Sequence, residues 1–255
     1  MPVELVTVPC LSDNYAFLVH DDASGATALV DVPEAAPILD ALQERGWSLT
    51  EVWLTHHHPD HVQGLDAVLA QHSAQVTGAS ADAHRLPKLD RAVAEGDTFT
   101  FAGEPVQVID VSGHTVGHIA YHMPDSAMAF TGDSLMAMGC GRVFEGTFDQ
   151  MWDSLSKLAA LPGETTICSG HEYTTANAKF AASIEPENRA LISRTEEIAR
   201  LRASDTPTVP SRLSDELATN PFLRADQPQV KSAIGMDGAS DAEVFAEIRR
   251  RKDSF

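Results

Sequence analysis

Up to about residue 172 the chain alternates short apolar runs of β period with segments of helical period. The β-like runs are ELVTV, NYAFLV, ATALVDV, EVWLTH, QVTG, VQVIDV, MAFTGD and TTICSGH, and the helix-like ones include APILDALQERG and GLDAVLAQHS. This pattern predicts an α/β domain over residues 1–172. Beyond it come two polar stretches of helical period, ENRALISRTEEIARLRA and DAEVFAEIRRRKDSF, separated by the proline-bearing TPTVPSRLSDELATNPF. They predict a small helical domain over residues 173–255. No internal repeat or low-complexity segment interrupts either part.

Charge sharpens this division. The 255 residues carry a formal charge of -19, an unfavourable balance for a protein that grips nucleic acid through its phosphates. Residues 1–172 hold 6 basic and 24 acidic side chains, whereas 173–255 hold 12 and 13. All eleven histidines lie at or before His171. Groups that ligate metals are therefore concentrated in the first part and cations in the second. Three widely spaced cysteines, Cys10, Cys140 and Cys168, do not make a disulfide scaffold and favour a reducing compartment. The N-terminal segment MPVELVTVPC has no basic region followed by a long apolar one, and no run approaches the ~18 apolar residues of a membrane span. A cytoplasmic protein with no membrane partner is expected. The absence of an apolar surface stripe favours a monomer.

Residues 55–61 read THHHPDH, directly after an apolar run. His56 and His58 are two apart at the end of an apparent strand, where alternation points both to one side. Asp60 and His61 follow in the turn toward the next helix. His57 lies between and faces away. Later strand-then-turn segments offer His114 in SGHTVGH, Asp133 in FTGDS and His171 in SGHEY. Imidazole and carboxylate donors together suit zinc or iron and suit calcium poorly. His118 reads as a hydrogen-bonded support, Asp31 equally as an acceptor for a ligand imidazole or as a turn cap, and Asn14 with Tyr15 as shapers of a loop beneath the site.

HxHxDH with the later His, Asp and His resembles the metallo-β-lactamase superfamily, which implies a four-layer α-β-β-α sandwich and a dinuclear site. SDNYAF, THHHPDH, GHTVGH, FTGDSLMAMGCGRVFEGT, GHEYT, NPFLR and RRRKD, in this order, resemble the glyoxalase II (hydroxyacylglutathione hydrolase) family. That resemblance implies one divalent ion on His56, His58 and His114, a second on Asp60, His61 and His171, and Asp133 bridging them. Zinc is the first choice, with iron and manganese compatible. It also implies a glutathione thioester substrate, S-D-lactoylglutathione above all, hydrolysed by a metal-held hydroxide in methylglyoxal disposal.

In the family pattern Arg142, the backbone around Phe144, Tyr173, Arg249 and Lys252 line the glutathione pocket, where arginine and lysine suit carboxylates. Phe144 departs from members with tyrosine there and lacks that hydroxyl. Cys140 has no reserved histidine base and reads as a packed, inert thiol. A persulfide dioxygenase of the same superfamily, a nuclease and a non-enzymatic metal-binding protein are the competing readings. The first lacks GCGRxFEGT and the helical C-terminal signature, and the second is opposed by the charge.

Overall fold

A computed structural model describes residues 3–255, which pack into two compact units. The first unit runs to Asp110 and resumes over Val116–Gly132. It holds β1 (Glu4–Cys10), β2 (Asn14–Asp21), β3 (Ala26–Val30), α1 (Ala35–Arg45), β4 (Glu51–Trp53), α2 (Pro59–Val62), α3 (Leu65–Leu69), β5 (Gln75–Ala79) and β6 (Arg91–Val93). These six strands form one sheet in chain order. β1, β2 and β3 pair antiparallel, and β3, β4, β5 and β6 pair parallel. The helical connections after β3 and β4 supply the crossovers that parallel neighbours require. β7 (Thr98–Phe101), β8 (Glu104–Asp110), β9 (Ile119–Met123) and β10 (Met128–Gly132) follow as an antiparallel meander.

Trp53 of β4 joins the sheet to the meander. Its fully buried ring meets Phe99 and Phe101 of β7 edge-on, at centroid distances of 5.5 and 5.3 Å, and lies within 6.2 Å of Tyr121 and Phe130. Burying such side chains contributes about 2 kcal/mol each, which makes this aromatic group a main anchor of the unit. The Tyr121 hydroxyl donates to the carbonyl of Leu54 at 2.9 Å, tying β9 to the chain just before Thr55. β4 is only three residues long, so His56 and His58 lie outside it. Their convergence comes from the turn into α2, where His58 is the N-cap, and not from strand alternation. The helical run predicted from Gly64 onward is also shorter than its periodicity suggests. A Cβ on Gly64 would stand 2.9–3.1 Å from the backbone of Val32, Glu34 and Ala35, so this glycine allows the close approach that separates α2 from α3.

The second unit comprises Val111–Thr115 and Asp133–Phe255. It contains β11 (Leu135–Met136), β12 (Gly139–Cys140), α4 (Phe148–Ala159), β13 (Thr166–Ser169), α5 (Thr174–Ile184), α6 (Arg189–Ala203), β14 (Ser211–Arg212), α7 (Leu213–Thr219), α8 (Pro228–Ile234) and α9 (Asp241–Asp253). β11 and β12 form a hairpin, and β13 pairs antiparallel with β14. Capping boxes open α4 (Thr147 with Gln150) and α9 (Ser240 with Glu243). Arg250, Arg251 and Lys252 in the last turn of α9 complement its dipole. The core here includes Met138, Ala178, Ala181, Leu191 and Ile198, beside an aromatic run of Phe180, Phe222 and Phe245. Among the described residues no helix is long and apolar enough to cross a membrane.

Candidate metal centre

In the first unit two of the four expected ligands of THHHPDH, His56 and His61, share one polar support. Asp31 sits in the left-handed region at φ 57, a conformation that aspartate tolerates better than most residues. Its buried carboxylate accepts the Thr55 N–H at 2.8 Å, the Thr55 hydroxyl at 2.8 Å and His61 Nδ1 at 2.8 Å. Because the Thr55 hydroxyl donates its one proton to Asp31, it can only accept from His56 Nδ1, 3.0 Å away. Asp31 thus fixes both imidazoles with the proton on Nδ1 and a lone pair on Nε2, the arrangement found behind metal-ligating histidines. Of the two roles that stood equal for it, the structure displays the imidazole-orienting one.

His56 Nε2 lies 3.1 Å from His58 Nδ1, and His61 Nε2 lies 3.8 Å from Asp60 Oδ2. Asn14 donates to both the carboxylate and the carbonyl of Asp60 at 3.1 Å, the loop-shaping contact expected of it. His118 stacks on His56 at 4.6 Å, a supporting position. His57 turns to Asp82, at 3.1 Å, and among the described residues joins no cluster of ligand atoms. Thr55 was not singled out in the sequence, although it opens the motif and carries one of the deciding hydrogen bonds.

The second unit places His114, Asp133 and His171 together although they come from three separate segments. Asp133 Oδ2 lies 3.4 Å from His114 Nε2 and 3.3 Å from His171 Nε2. His114 Nδ1 donates to the backbone carbonyl of Arg142 at 2.7 Å, so its Nε2 also faces the carboxylate as a lone pair. Four of the seven expected ligands belong to the first unit and three to the second. Imidazoles with their N–H sides occupied, beside carboxylates, form a donor set that fits divalent metal ions.

Four of the five expected substrate contacts are accessible at least in part. Arg142 and Phe144 are largely exposed; the Phe144 ring lies 5.2 Å from that of His114, and Tyr173 stacks on His171 at 4.6 Å. Lys252 donates to the carbonyl of Ala176 at 3.2 Å, and partial burial, with Arg249 and Arg142 nearby, holds its pKa below the usual lysine value. Arg249 is turned inward, only 3 % exposed. Its guanidinium donates to the Cys140 carbonyl at 3.0 Å, pairs with Asp253 at 3.0 Å and lies 5.0 Å from the Phe222 ring. Burial pushes the Cys140 thiol up to about 11 even though Arg249 opposes the shift. Cys10 is pushed up to about 12 by burial and Glu34, and burial raises Cys168 as well. None is a thiolate at neutral pH, so none is an activated nucleophile.

Residues 14–171 match the metallo-beta-lactamase superfamily model, and residues 172–255 match the model of the hydroxyacylglutathione hydrolase C-terminus. A hydroxyacylglutathione hydrolase of Roseobacter denitrificans is 66 % identical over 255 residues, covering 100 % of both chains. One from Fuscovulum blasticum is 60 % identical with the same coverage. Among solved structures, the BLEG-1 B3 metallo-beta-lactamase superposes with a TM-score of 0.67 at 19 % identity, over 86 % of this chain and 99 % of that one. ETHE1 from Myxococcus xanthus superposes with a TM-score of 0.66 at 26 % identity, over 98 % and 90 %. Both likenesses fall on the fold that the sequence implied.

Proposed function

Because the chain belongs to the hydroxyacylglutathione hydrolases, metal-dependent enzymes that cleave the thioester of a hydroxyacylglutathione, we propose that its seven histidine and aspartate ligands hold two zinc ions. In this reading His56, His58 and His114 would hold one ion and Asp60, His61 and His171 the other, with Asp133 shared between them. The observation that carries it is the direction of the imidazole protons. Asp31 and the Arg142 carbonyl take the Nδ1 protons of His61 and His114, leaving both Nε2 atoms as donors to a cation. When bound, the ions supply Lewis acidity, which brings the pKa of water toward 7 and polarises the thioester carbonyl.

The remaining side chains bind and orient. Exposed Arg142 and partly buried Lys252 offer cations to the carboxylates of a glutathione moiety. Arg249 reaches the same region through Asp253 and Cys140, keeping α9 against the chain that carries Arg142. The rings of Phe144 and Tyr173 cover His114 and His171. The neutral Cys140 thiol does not compete with water as a nucleophile. S-D-lactoylglutathione is the proposed substrate and disposal of methylglyoxal in the cytoplasm the proposed role, carried out by a monomer. The match of residues 172–255 to the hydrolase C-terminus disfavours the persulfide dioxygenase alternative.

Loss of thioester absorbance with S-D-lactoylglutathione, measured beside the metal content of the same preparation, tests the proposal. Turnover that scales with two zinc equivalents per chain supports it. Oxygen uptake with glutathione persulfide, and no thioester cleavage, overturns it.

A further inference from the structure

The hairpin β11–β12 leaves Asp133 and returns toward Arg142, with only Ala137 and Met138 in its turn. Met138 is in the left-handed region at φ 60, an unfavourable conformation for a residue with a Cβ. Three buried side chains hold this turn by its backbone. Glu216, with no exposed surface, accepts the Met138 N–H at 2.8 Å. Asn220, equally buried, donates to the carbonyls of Met136 at 3.2 Å and Gly139 at 2.9 Å. Asn177 donates to the carbonyl of Ala137 at 3.1 Å. Glu216 is itself fixed by the Ser211 hydroxyl at 2.6 Å and by the Arg194 guanidinium, so its buried charge is paired. The hydrogen-bonding groups of a two-residue turn would ordinarily face water. Here Asn177 of α5, Glu216 of α7 and Asn220 of NPFLR supply the partners.

The return strand connects this clamp to the ligands. The Gly141 N–H donates to the Ser134 carbonyl at 3.1 Å, and a Cβ at Gly141 would stand 2.0 Å from the Asp133 carbonyl oxygen and 2.9 Å from His114 Nδ1. The next residue, Arg142, gives its carbonyl to His114 Nδ1 at 2.7 Å. A shift of the hairpin by half an ångström would therefore alter the bond between the Arg142 carbonyl and Nδ1 of His114, whose Nε2 faces Asp133.

We propose that Glu216, Asn220 and Asn177 are positioning residues of the metal centre: by clamping the Ala137–Met138 turn they hold the Arg142 carbonyl on His114 and set the donor atom that His114 offers. The helical C-terminal segment then has two functions, substrate binding at Lys252 and construction of one metal position from behind. This inference rests on the assignment of His114 as a ligand.

Zinc affinity, read by competition with a chromophoric chelator, tests the clamp independently of turnover. Asn220→Ala is expected to bind one of its two zinc equivalents about 10- to 100-fold more weakly, the usual consequence of losing support behind a ligand. Asn177→Ala, which removes only the bond to the Ala137 carbonyl, is expected to lose less, and it decides the matter if Asn220→Ala does not fold. Arg224→Ala is the control. It breaks a buried ion pair of the same NPFLR segment, Arg224 with Glu185 at 2.7 Å, without touching the hairpin. It should lower the melting temperature and leave zinc affinity unchanged. Wild-type zinc affinity in folded Asn220→Ala and Asn177→Ala, or equal zinc loss in Arg224→Ala, overturns the clamp while the functional reading stands. A wild-type protein that binds no zinc overturns both.

Discussion

The two units solve the same problem of ligand orientation by different means. The first packs four proposed ligands into positions 56–61 and orients two of them, His56 and His61, from a single side chain, Asp31. The second draws His114, Asp133 and His171 from three segments and orients His114 from a backbone carbonyl, which no substitution at Arg142 removes. A side-chain acceptor is a replaceable part. A backbone acceptor is only as good as the packing that holds it, and this gives the hairpin clamp its importance. Each unit places a non-glycine residue in the left-handed region, Asp31 at φ 57 in the first and Met138 at φ 60 in the second.

Removing the residue closest to both imidazoles of the second unit should have the largest effect. Asp133→Ala is expected to lower kcat/KM by at least about 10³-fold, since several kcal/mol of charge stabilisation depend on a correctly assembled centre. It should also lower the zinc content per chain. Full activity with two zinc equivalents in this variant would refute a bridging role for Asp133. Next in size is Asp31→Asn, which suits the left-handed conformation and so isolates the loss of charge. About 10- to 100-fold weaker zinc binding is expected, with folding retained. If instead zinc affinity is unchanged, Asp31 is a turn cap and the contrast between side-chain and backbone orientation loses its first half.

This contrast also explains what the amino-acid sequence could and could not disclose. THHHPDH is legible because its proposed ligands are neighbours in the chain, and residue type with strand-then-turn context points to the seven proposed donors. The orientation of the second unit was illegible because it runs through the carbonyl of Arg142, which has no residue signature, and through Glu216 and Asn220, far along the chain. Strands β7 and β9 carry only four and five residues, too few for a secure period, and TTANAKFAASI of α5 lacks an apolar stripe. RRRKD shows the same limit at the level of side chains. It reads as a uniform basic end, yet Arg249 is buried against Cys140 and Phe222 whereas Lys252 is only partly covered.

A smaller effect is expected at the rim of the second unit. Phe144 is exposed and packs its ring near His114 without a hydroxyl. Phe144→Tyr adds a hydrogen-bond donor where a bound glutathione peptide would pass, and one such bond contributes about 0.5–1.5 kcal/mol. KM for S-D-lactoylglutathione should fall about 2- to 10-fold with kcat unchanged. A changed kcat with constant KM would place this ring against the reacting atoms and not along the glutathione chain.

The smallest expected effect concerns the thiols, and it compares the two units directly, because Cys10 belongs to the first and Cys140 to the hairpin of the second. With Cys140 at about 11 and Cys10 at about 12, the thiolate fraction at pH 8 is roughly 10⁻³ and 10⁻⁴, so iodoacetamide at that pH should leave both unlabelled and activity intact. The sign for stability follows from the same shift. A thiol raised in the folded state keeps its proton where the unfolded chain, near the ordinary value of 9, begins to lose it. Stability contributed by the neutral thiol is thus complete below pH 9 and declines as pH rises toward 11. Labelling should rise steeply over that window, in Cys140 before Cys10. Rapid labelling of Cys140 alone at pH 8 would mean that the hairpin opens in the folded protein, and a clamp that opens so readily could not fix the Arg142 carbonyl on His114.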